Sequence, residues 1–224
     1  MAAIALMAYK SKEVIYECNS LLHCLNYKCK SIYCDNCLKK SNELKDCSKC
    51  HQMYYCSANC KQNDWKYHKY ECSIFQTENF RSHFKNSAAL VTLNLRLWLC
   101  IKSDPEFATK RHKLYDGSTV CLNDLHGIHI NTIGGYEPMV VFELICFSFE
   151  KYGVKYERSE LLRWFELLGH PFHFSIFEYS DSPEKKEDYS SVQPIGDGLY
   201  IQALNTTRDR SPNTHFCLNG KINL

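Results

Sequence analysis

The sequence predicts an α+β protein in which a small cysteine-rich segment precedes a mostly helical stretch and a short β region. Three observations support this fold class. Ten of the 14 cysteines lie in residues 1–72. Apolar residues then recur every three or four positions, which is the period of amphipathic helices. After Pro171 the period changes to two, which is typical of half-buried strands.

The composition excludes several classes of protein. The chain has 224 residues, 13% of them aromatic, and a net charge of +2, which argues against a disordered coil. No apolar run approaches the roughly 20 residues of a membrane-crossing helix, so no membrane partner is expected. The apolar opening Met1–Ala8 is short and no positive charge precedes it, which favours a buried strand over a signal peptide. Cysteines in close pairs without a leader indicate an intracellular, reducing compartment, nuclear and/or cytoplasmic.

Residues 1–33 form a lead-in with two strand-like pieces, at Ile4–Tyr9 and Glu13–Tyr16. The lead-in also contains three cysteines: Cys18, Cys24 and Cys29. Their gaps of five and four residues are not those of zinc-binding turns. We therefore expect buried free thiols, with a third metal site as the less favoured alternative.

Residues 34–72 hold four close pairs of potential metal ligands. In chain order the pairs are Cys34 and Cys37, Cys47 and Cys50, Cys56 and Cys60, and His68 and Cys72. Two intervening residues allow a tight turn to aim both sulfurs at one ion, and three place two ligands one helical turn apart. Eight donors fill two tetrahedral zinc sites and leave no open position for a catalytic water. Disulfides and unligated core thiols are the alternatives, which four pairs in register disfavour.

Two short helices are expected inside this segment. Ser57 can cap one that leads to Cys60, and Asp64 can cap one that carries His68 and Cys72. A segment of 39 residues buries too little apolar surface to fold alone. The metal ions must therefore supply the missing stability.

Four helical patterns follow. An apolar stripe from Phe80 to Trp98 predicts a helix that ends near Ser103, and Asp104-Pro105 is typical of a new helix start. A third helix is predicted from Pro138 to Tyr152, ending at Gly153. A fourth should begin at the cap Ser159 and end at Gly169. We expect these apolar stripes to form core.

The last part of the chain predicts short strands. Phe172–Phe177 alternates as a half-buried strand does, and Leu199–Ala203 and His215–Leu218 are further candidates. The charged run Asp181–Asp188 is typical of a solvated loop.

The metal-ligand segment closely resembles the MYND zinc finger. The resemblance rests on Cys-Ser-Lys-Cys at 47–50, Tyr-Cys-Ser at 55–57, Asp64-Trp65 and His-Lys-Tyr-Glu-Cys at 68–72, with all eight ligands in order. It implies a cross-braced arrangement in which one zinc ion is held by Cys34, Cys37, Cys56 and Cys60. The other would be held by Cys47, Cys50, His68 and Cys72.

MYND fingers in general bind short proline-containing peptides, and Trp65 matches an aromatic that the family uses in its peptide groove. A flat aromatic suits the ring of proline in an extended ligand. Some peptide-binding members have a glutamine four residues earlier, where this chain has Lys61. Alternatively, Trp65 only shields the zinc core. With two zinc ions and seven thiolates the segment carries a net charge of about −1, so direct nucleic-acid binding is not expected.

A MYND finger followed by helices and then Pro-Ile-Gly-Asp-Gly-Leu-Tyr at 194–200 resembles the SMYD family. Those proteins are protein-lysine methyltransferases in which a MYND finger and a helical insert interrupt a SET domain. Pro212-Asn213 and Asn219-Gly220 sit where the family has the same pairs. The resemblance implies four segments: SET-like N-terminal strands at 1–33, the MYND finger at 34–72, a helical insert at 73–170, and a partial, truncated SET-like β region at 171–224.

The catalytic equipment of that family does not carry over. The first glycine of the chain is Gly117, so the early glycine-containing loop that approaches S-adenosylmethionine is missing. The Asn-His-Ser-Cys of the family aligns with Thr-Arg-Asp-Arg at 207–210. The last tyrosine is Tyr200, and Cys217 stands alone where the family has a cysteine-rich zinc site. We therefore expect no catalytic residues and no binding of S-adenosylmethionine.

The sequence thus predicts an interaction protein, in which a zinc-binding MYND finger recognises short proline-containing peptides and is joined to a catalytically inactive SET-like remnant. The alternative is an S-adenosylmethionine-dependent protein-lysine methyltransferase of the SMYD type, or a fragment of one.

Overall fold

The computed structural model describes residues 17–77, 88–114, 116–127, 138–169, 173–177, 194–201, 217–218 and 221–223. Within these ranges the chain forms helices and short strands, which confirms the predicted α+β class. The predicted strand pieces Ile4–Tyr9 and Glu13–Tyr16 and the predicted loop Asp181–Asp188 lie outside the described residues.

Four α-helices are the largest elements of the described chain. They are α1 (Ala58–Gln76), α2 (Ala88–Ser103), α3 (Pro138–Lys151) and α4 (Arg158–Gly169). Short 3-10 turns lie at Tyr27–Cys29 and Leu122–Asp124. In the part of the chain that the structure describes, none of the helices combines the length and apolarity needed to cross a membrane.

Helix α2 lies at the centre of the core and is buried on every side. Every residue from Val91 to Trp98 is buried, and α2 packs against α1, α3 and α4. The sequence predicted that only one apolar stripe of this helix would be buried. The structure buries its other sides as well, including the polar residues Asn94 and Arg96. The start of the predicted stripe, Phe80, lies outside the described residues.

Helices α3 and α4 agree with the predicted ranges, but the cap of α4 differs. After α3, Gly153 adopts a left-handed φ of +68°, as its predicted role as a helix stop requires. At the start of α4 the Glu157 carboxylate accepts the backbone N–H groups of Ser159, at 3.2 Å, and Glu160, at 2.9 Å. The predicted Ser159 cap is wrong because the helix begins one residue earlier, at Arg158, and Glu157 caps it instead.

The predicted helix start at Asp104-Pro105 is also wrong. Residues 105–109 form turns instead. The Asp104 carboxylate accepts the N–H of Glu106 at 3.0 Å, as a cap would, but the backbone does not continue as a helix.

Ten short strands complete the described structure. In chain order they are β1 (Glu17–Asn19), β2 (Leu22–Leu25), β3 (Lys45–Asp46), β4 (Tyr54–Tyr55), β5 (His112–Lys113), β6 (Thr119–Val120), β7 (His173–Phe177), β8 (Pro194–Leu199), β9 (Cys217–Leu218) and β10 (Lys221–Asn223). The antiparallel sheets have the orders β1-β10-β9, β2-β8-β7, β3-β4 and β5-β6. The first two sheets join strands from opposite ends of the chain, so α1 and all of the finger lie between paired strands in sequence.

Strand β8 depends on a close approach between backbones. Gly196 pairs with Leu25 of β2, and a Cβ at position 196 would lie 2.3 Å from the carbonyl oxygen of Cys24. Glycine lowers strand propensity, which explains why the predicted strand Leu199–Ala203 was placed too late. The strand predicted at Phe172–Phe177 is confirmed as β7, and β9 falls inside the predicted His215–Leu218.

Candidate metal centre

The structure brings the eight predicted ligand residues together in two groups of four. One group is Cys34, Cys37, Cys56 and Cys60, and the other is Cys47, Cys50, His68 and Cys72. Within each group one ligand atom from every residue lies within 4.8 Å of all the others. The pairs interleave along the chain, so the two sites are cross-braced as the resemblance implied.

Sulfur spacing in the first group fits a zinc ion. The Sγ atom of Cys56 lies 3.6 Å from that of Cys37 and 3.5 Å from that of Cys60. A tetrahedral zinc ion with bonds of about 2.3 Å holds its sulfurs about 3.8 Å apart. A disulfide requires about 2.05 Å, and the cysteines of this group are free. The geometry therefore favours metal ligation over disulfides.

The second group is fully buried, and its ligand atoms lie at distances similar to those in the first group. Its Cys47 and Cys72 sulfurs are 3.9 Å apart, and the Cys50 sulfur lies 3.4 Å from Nε2 of His68. Burial, together with the neighbouring Cys50 and Cys47 thiols, raises the pKa of the Cys72 thiol to about 12. A divalent cation between the sulfurs reverses this preference for the protonated form. Two zinc ions thus fit the two clusters.

The two Cys-x2-Cys turns share one backbone design. The N–H of Leu38 donates to the carbonyl of Cys34 at 2.9 Å, and the N–H of His51 donates to that of Cys47 at 2.8 Å. Leu38 and His51 both adopt left-handed backbone angles, with φ of +61° and +54°. A left-handed conformation costs a non-glycine residue about 1–2 kcal/mol. Metal binding, which is coupled to the folding of such segments, offsets this cost.

These turns also direct backbone donors at the sulfurs. Burial opposes ionisation of Cys47, but the N–H groups of Cys50 and Lys49 lower its pKa to about 6. A thiolate is the form that binds zinc. The turn therefore prepares this sulfur for its role as a ligand.

Helix α1 supplies Cys60 to the first site and His68 and Cys72 to the second, and Cys56 lies between β4 and the start of α1. Ser57 caps it as predicted, with its hydroxyl oxygen accepting the N–H of Cys60 at 3.1 Å. The segment forms one 19-residue helix rather than two short ones. The prediction that Asp64 caps a second helix is wrong, because Asp64 lies inside α1 with a side chain that is 2% exposed. Its carboxylate accepts the Tyr55 hydroxyl at 2.7 Å.

A buried charge network connects the second metal group to helix α2. The His68 Nδ1–H group donates to Glu71 at 3.3 Å, and the Nε of Arg96 lies 3.1 Å from both Glu71 oxygens. Another nitrogen of Arg96 donates to Asp64 at 3.1 Å and to the carbonyl of His23 in β2 at 3.0 Å. The Arg96, Asp64 and Glu71 side chains are at most 2% exposed.

This network orients the histidine ligand. A carboxylate on Nδ1 fixes the imidazole so that Nε2 faces the metal, which is a common outer-shell arrangement at zinc sites. Burial opposes ionisation of Glu71, but the charge of Arg96 and the hydrogen bond from His68 lower its pKa to about 2. Glu71 is therefore a carboxylate at neutral pH.

Sequence reasoning missed the network, although one signal was present. Arg96 is the first charged residue of the otherwise apolar helix α2. A cation in such a position has to be paired with acids when it is buried. The identity of those acids depends on the packing of α1 against α2.

Trp65 lies on the outer side of α1 beside the second metal group. Its side chain is 37% exposed. The indole contacts the His68 ring edge-on, with centroids 5.8 Å apart, and the Lys49 ammonium lies 5.5 Å from the indole centroid. Trp65 therefore covers part of the metal ligand and also presents a free aromatic surface.

The other cysteines of the lead-in belong to neither group. Cys24 is buried and Cys29 is half-buried, and neither forms a disulfide. Among the residues that the structure describes, the two groups above are the only clusters of His, Cys, Asp and Glu with metal-ligand spacing. The side chain of Cys18 lies outside the described residues.

A polar cleft of about 600 Å³ lies between the finger and β2. Its lining includes His23, Asn36, Gln62, Lys66 and Arg96. None of its lining residues comes from β8, where the SMYD-like Gly-Asp-Gly sequence lies.

Residues 34–72 match the family model described as the MYND finger. This match covers every residue of both metal groups. The described segment is therefore a MYND zinc finger with two cross-braced zinc sites.

Several SET and MYND domain-containing proteins are similar to parts of this chain. The chain is 49% identical over 47 residues to SET domain-containing protein 14 of Caenorhabditis elegans, covering 21% of this chain and 11% of that protein. It is 32% identical over 110 residues to N-lysine methyltransferase SMYD2 of Gallus gallus, covering 49% of this chain and 24% of the relative. A SET and MYND domain-containing protein of Dictyostelium discoideum is 40% identical over 76 residues, covering 31% and 14%. The chain is thus similar, over the finger and its flanks, to SET and MYND domain-containing proteins, and the matches span at most about a quarter of each relative.

Replacing a ligand of the second site should remove one zinc ion. We expect Cys50→Ser to lower the zinc content from two ions per chain to one and to unfold the finger locally, because metal binding is coupled to folding. Elemental analysis and a thermal melt check this result. Cys29→Ser, at a half-buried cysteine outside both metal groups, is the control and should retain both ions. An unchanged zinc content and melting curve for Cys50→Ser would contradict the assignment.

Replacing the carboxylate behind His68 should weaken the second site selectively. We expect Glu71→Gln to reduce zinc affinity there by about 10- to 100-fold, the usual effect of losing such an outer-shell partner. Titration with a chelator should then separate the release of the two ions. Glu43→Gln is the control, since it removes an exposed acid of the same finger. Simultaneous release at the original chelator concentration would argue against the proposed role of Glu71.

Proposed function

We propose that this chain is a protein-interaction module in which the MYND finger recognises short proline-containing peptides. In this proposal the eight residues at positions 34, 37, 47, 50, 56, 60, 68 and 72 hold two structural zinc ions, and Trp65 contacts the ligand. One observation carries the proposal: a partly exposed indole is held against His68 in one of two four-donor groups, and these groups leave no ligand position for catalytic water.

The rigidity of the site supports peptide recognition. Trp65 lies between Asp64, which is buried against Arg96, and the metal-ligand residue His68 on one helix. An aromatic that is held in place before binding loses little conformational entropy when the ligand docks. A proline-containing segment is already extended, so its own ordering cost is also low.

The rest of the chain is, in this proposal, a SET-like unit that the finger and a helical insert interrupt. The proposed segments are 1–33, 34–72, 73–170 and 171–224. The pairing of β2 with β8 and of β1 with β10 supports this division, because it joins the first and last segments into common sheets. We propose that the unit is catalytically inactive, on the basis of the altered residues 207–210 and of the lack of glycine in residues 1–33.

Protein-lysine methylation is the second candidate function. Several relatives are named N-lysine methyltransferase SMYD2, which favours this function. The chain matches only part of those proteins, so their activity is a candidate for this chain and not a conclusion from it.

Removing the indole should separate peptide binding from metal binding. We expect Trp65→Ala to weaken the capture of a proline-containing peptide by at least about 10-fold, since buried aromatic anchors dominate such interfaces. Zinc content should remain at two ions per chain. Fluorescence polarisation and elemental analysis check the two results. Phe147→Ala, at an aromatic of α3 that is 53% exposed, is the control and should bind as the parent chain does. A loss of zinc in Trp65→Ala would instead assign the indole a structural role.

Isothermal titration with S-adenosylmethionine distinguishes the two candidate functions. We expect no binding heat from the full chain, because the residues at 207–210 replace amide and imidazole groups with cations and an acid. A methyltransferase of known affinity serves as the positive control. A micromolar Kd for this chain would favour the enzyme and overturn the proposed inactivity.

A further inference from the structure

The finger separates its charges between interior and surface. Three of its five acids are buried: Asp35, Asp64 and Glu71. Of its seven lysines, six are exposed and Lys61 is half-buried. The acids left near solvent are Glu43 and Asp46. A count of charges along the sequence therefore understates how basic the accessible surface is.

The buried acids have partners inside the protein. Asp64 and Glu71 pair with Arg96, which α2 provides from outside the finger. The Asp35 carboxylate accepts the N–H of Tyr54 at 2.7 Å. These acids are thus committed to internal contacts and do not neutralise the surface lysines.

The lysines of α1 surround the proposed peptide contact. Lys61, Trp65 and Lys69 are spaced four residues apart on α1, which places them in one row with about 5–6 Å between neighbours. Lys49 adds a third ammonium, 5.5 Å from the indole centroid. The charged residues of α1 that reach solvent are all lysines, at 61, 66 and 69.

We propose that the partner of this finger is an acidic peptide segment, with carboxylates on both sides of the residue that contacts Trp65. The inference rests on the proposed function and adds the charge of the ligand to it. A residue docked on the indole places its neighbours beside Lys61 and Lys69, and Lys49 lies close enough to the ring to meet a carboxylate. Complementary charge accelerates encounter and makes binding sensitive to salt.

The same lysines are less suited to nucleic acid. Three ammonium groups around one aromatic are fewer than the six to ten phosphate contacts of a typical DNA-binding surface. Residues 34–72 contain no arginine, the residue best suited to phosphate and base recognition. The net charge of the whole chain is only +2. An acidic peptide therefore fits better than an oligonucleotide.

The test compares labelled peptides that differ only in flanking charge. Each carries a central Pro-Ala-Pro, flanked on both sides by two Glu, two Gln or two Lys residues, and fluorescence polarisation gives its affinity for the full chain at low and high salt. Each exposed ion pair adds little by itself, but several form at once. We therefore expect the Glu peptide to bind about 10-fold tighter than the Gln peptide at low salt. This advantage should shrink at high salt.

Two triple variants locate the effect. Lys49→Gln, Lys61→Gln and Lys69→Gln together should abolish the preference for the Glu peptide, measured as the ratio of the Glu-peptide affinity to the Gln-peptide affinity in the same variant. The control variant makes the same change of charge elsewhere in the finger, at Lys39, Lys40 and Lys45. It should retain the preference. Equal loss in both variants would overturn the assignment to the row around Trp65.

The other outcomes separate this inference from the proposed function. Equal binding of the three peptides would overturn the charge preference and leave proline recognition intact. Equal binding of a Glu peptide with Ala-Ala-Ala at its centre would overturn proline recognition and support charge recognition. Tighter binding of a single-stranded oligonucleotide of the same charge would overturn the choice of a peptide partner.

Discussion

Metal coordination is the constraint on which the finger depends. Its strands β3 and β4 are two residues long, and its turns hold Leu38 and His51 in left-handed conformations. Neither feature is stable by itself, because short hairpins and strained turns need other interactions to hold them. Interleaved ligand groups bind both turns to one helix, so the shape of the outer surface follows from the position of the two ions.

Helix α1 divides the chemistry of the protein between its two sides. The inner side carries metal-ligand sulfur and imidazole together with Asp64 and Glu71, and the outer side carries Trp65 among lysines. Arg96 makes this division possible, since it pairs with both inner acids without using a lysine of the finger. The cation that pairs with the buried acids, Arg96, thus comes from helix α2. The lysines of the finger therefore remain on its surface.

Much of this arrangement could be predicted from the sequence. Ligand type and spacing are set by the metal, so the eight donors were recognisable, and helices α3 and α4 followed from an apolar period of three to four. The fates of Asp64 and Arg96 were not predictable, because an acid that caps a helix and an acid that meets a buried cation look alike in sequence. Strand β8 was misplaced for a related reason: the contact that requires Gly196 is with Cys24, far away in the chain.

Arg96 also bears on how far the finger is an autonomous unit. A peptide cut at Cys34 and Cys72 would lack this guanidinium and the last turn of α1, which continues to Gln76. Asp64 and Glu71 would then lack their cationic partner, and the Glu71 carboxylate behind the His68 ring would no longer be held by the arginine. The segment that the ligands delimit, residues 34–72, is therefore shorter than the unit that is stabilised as a whole. That unit also includes helix α2, which packs behind the ligands.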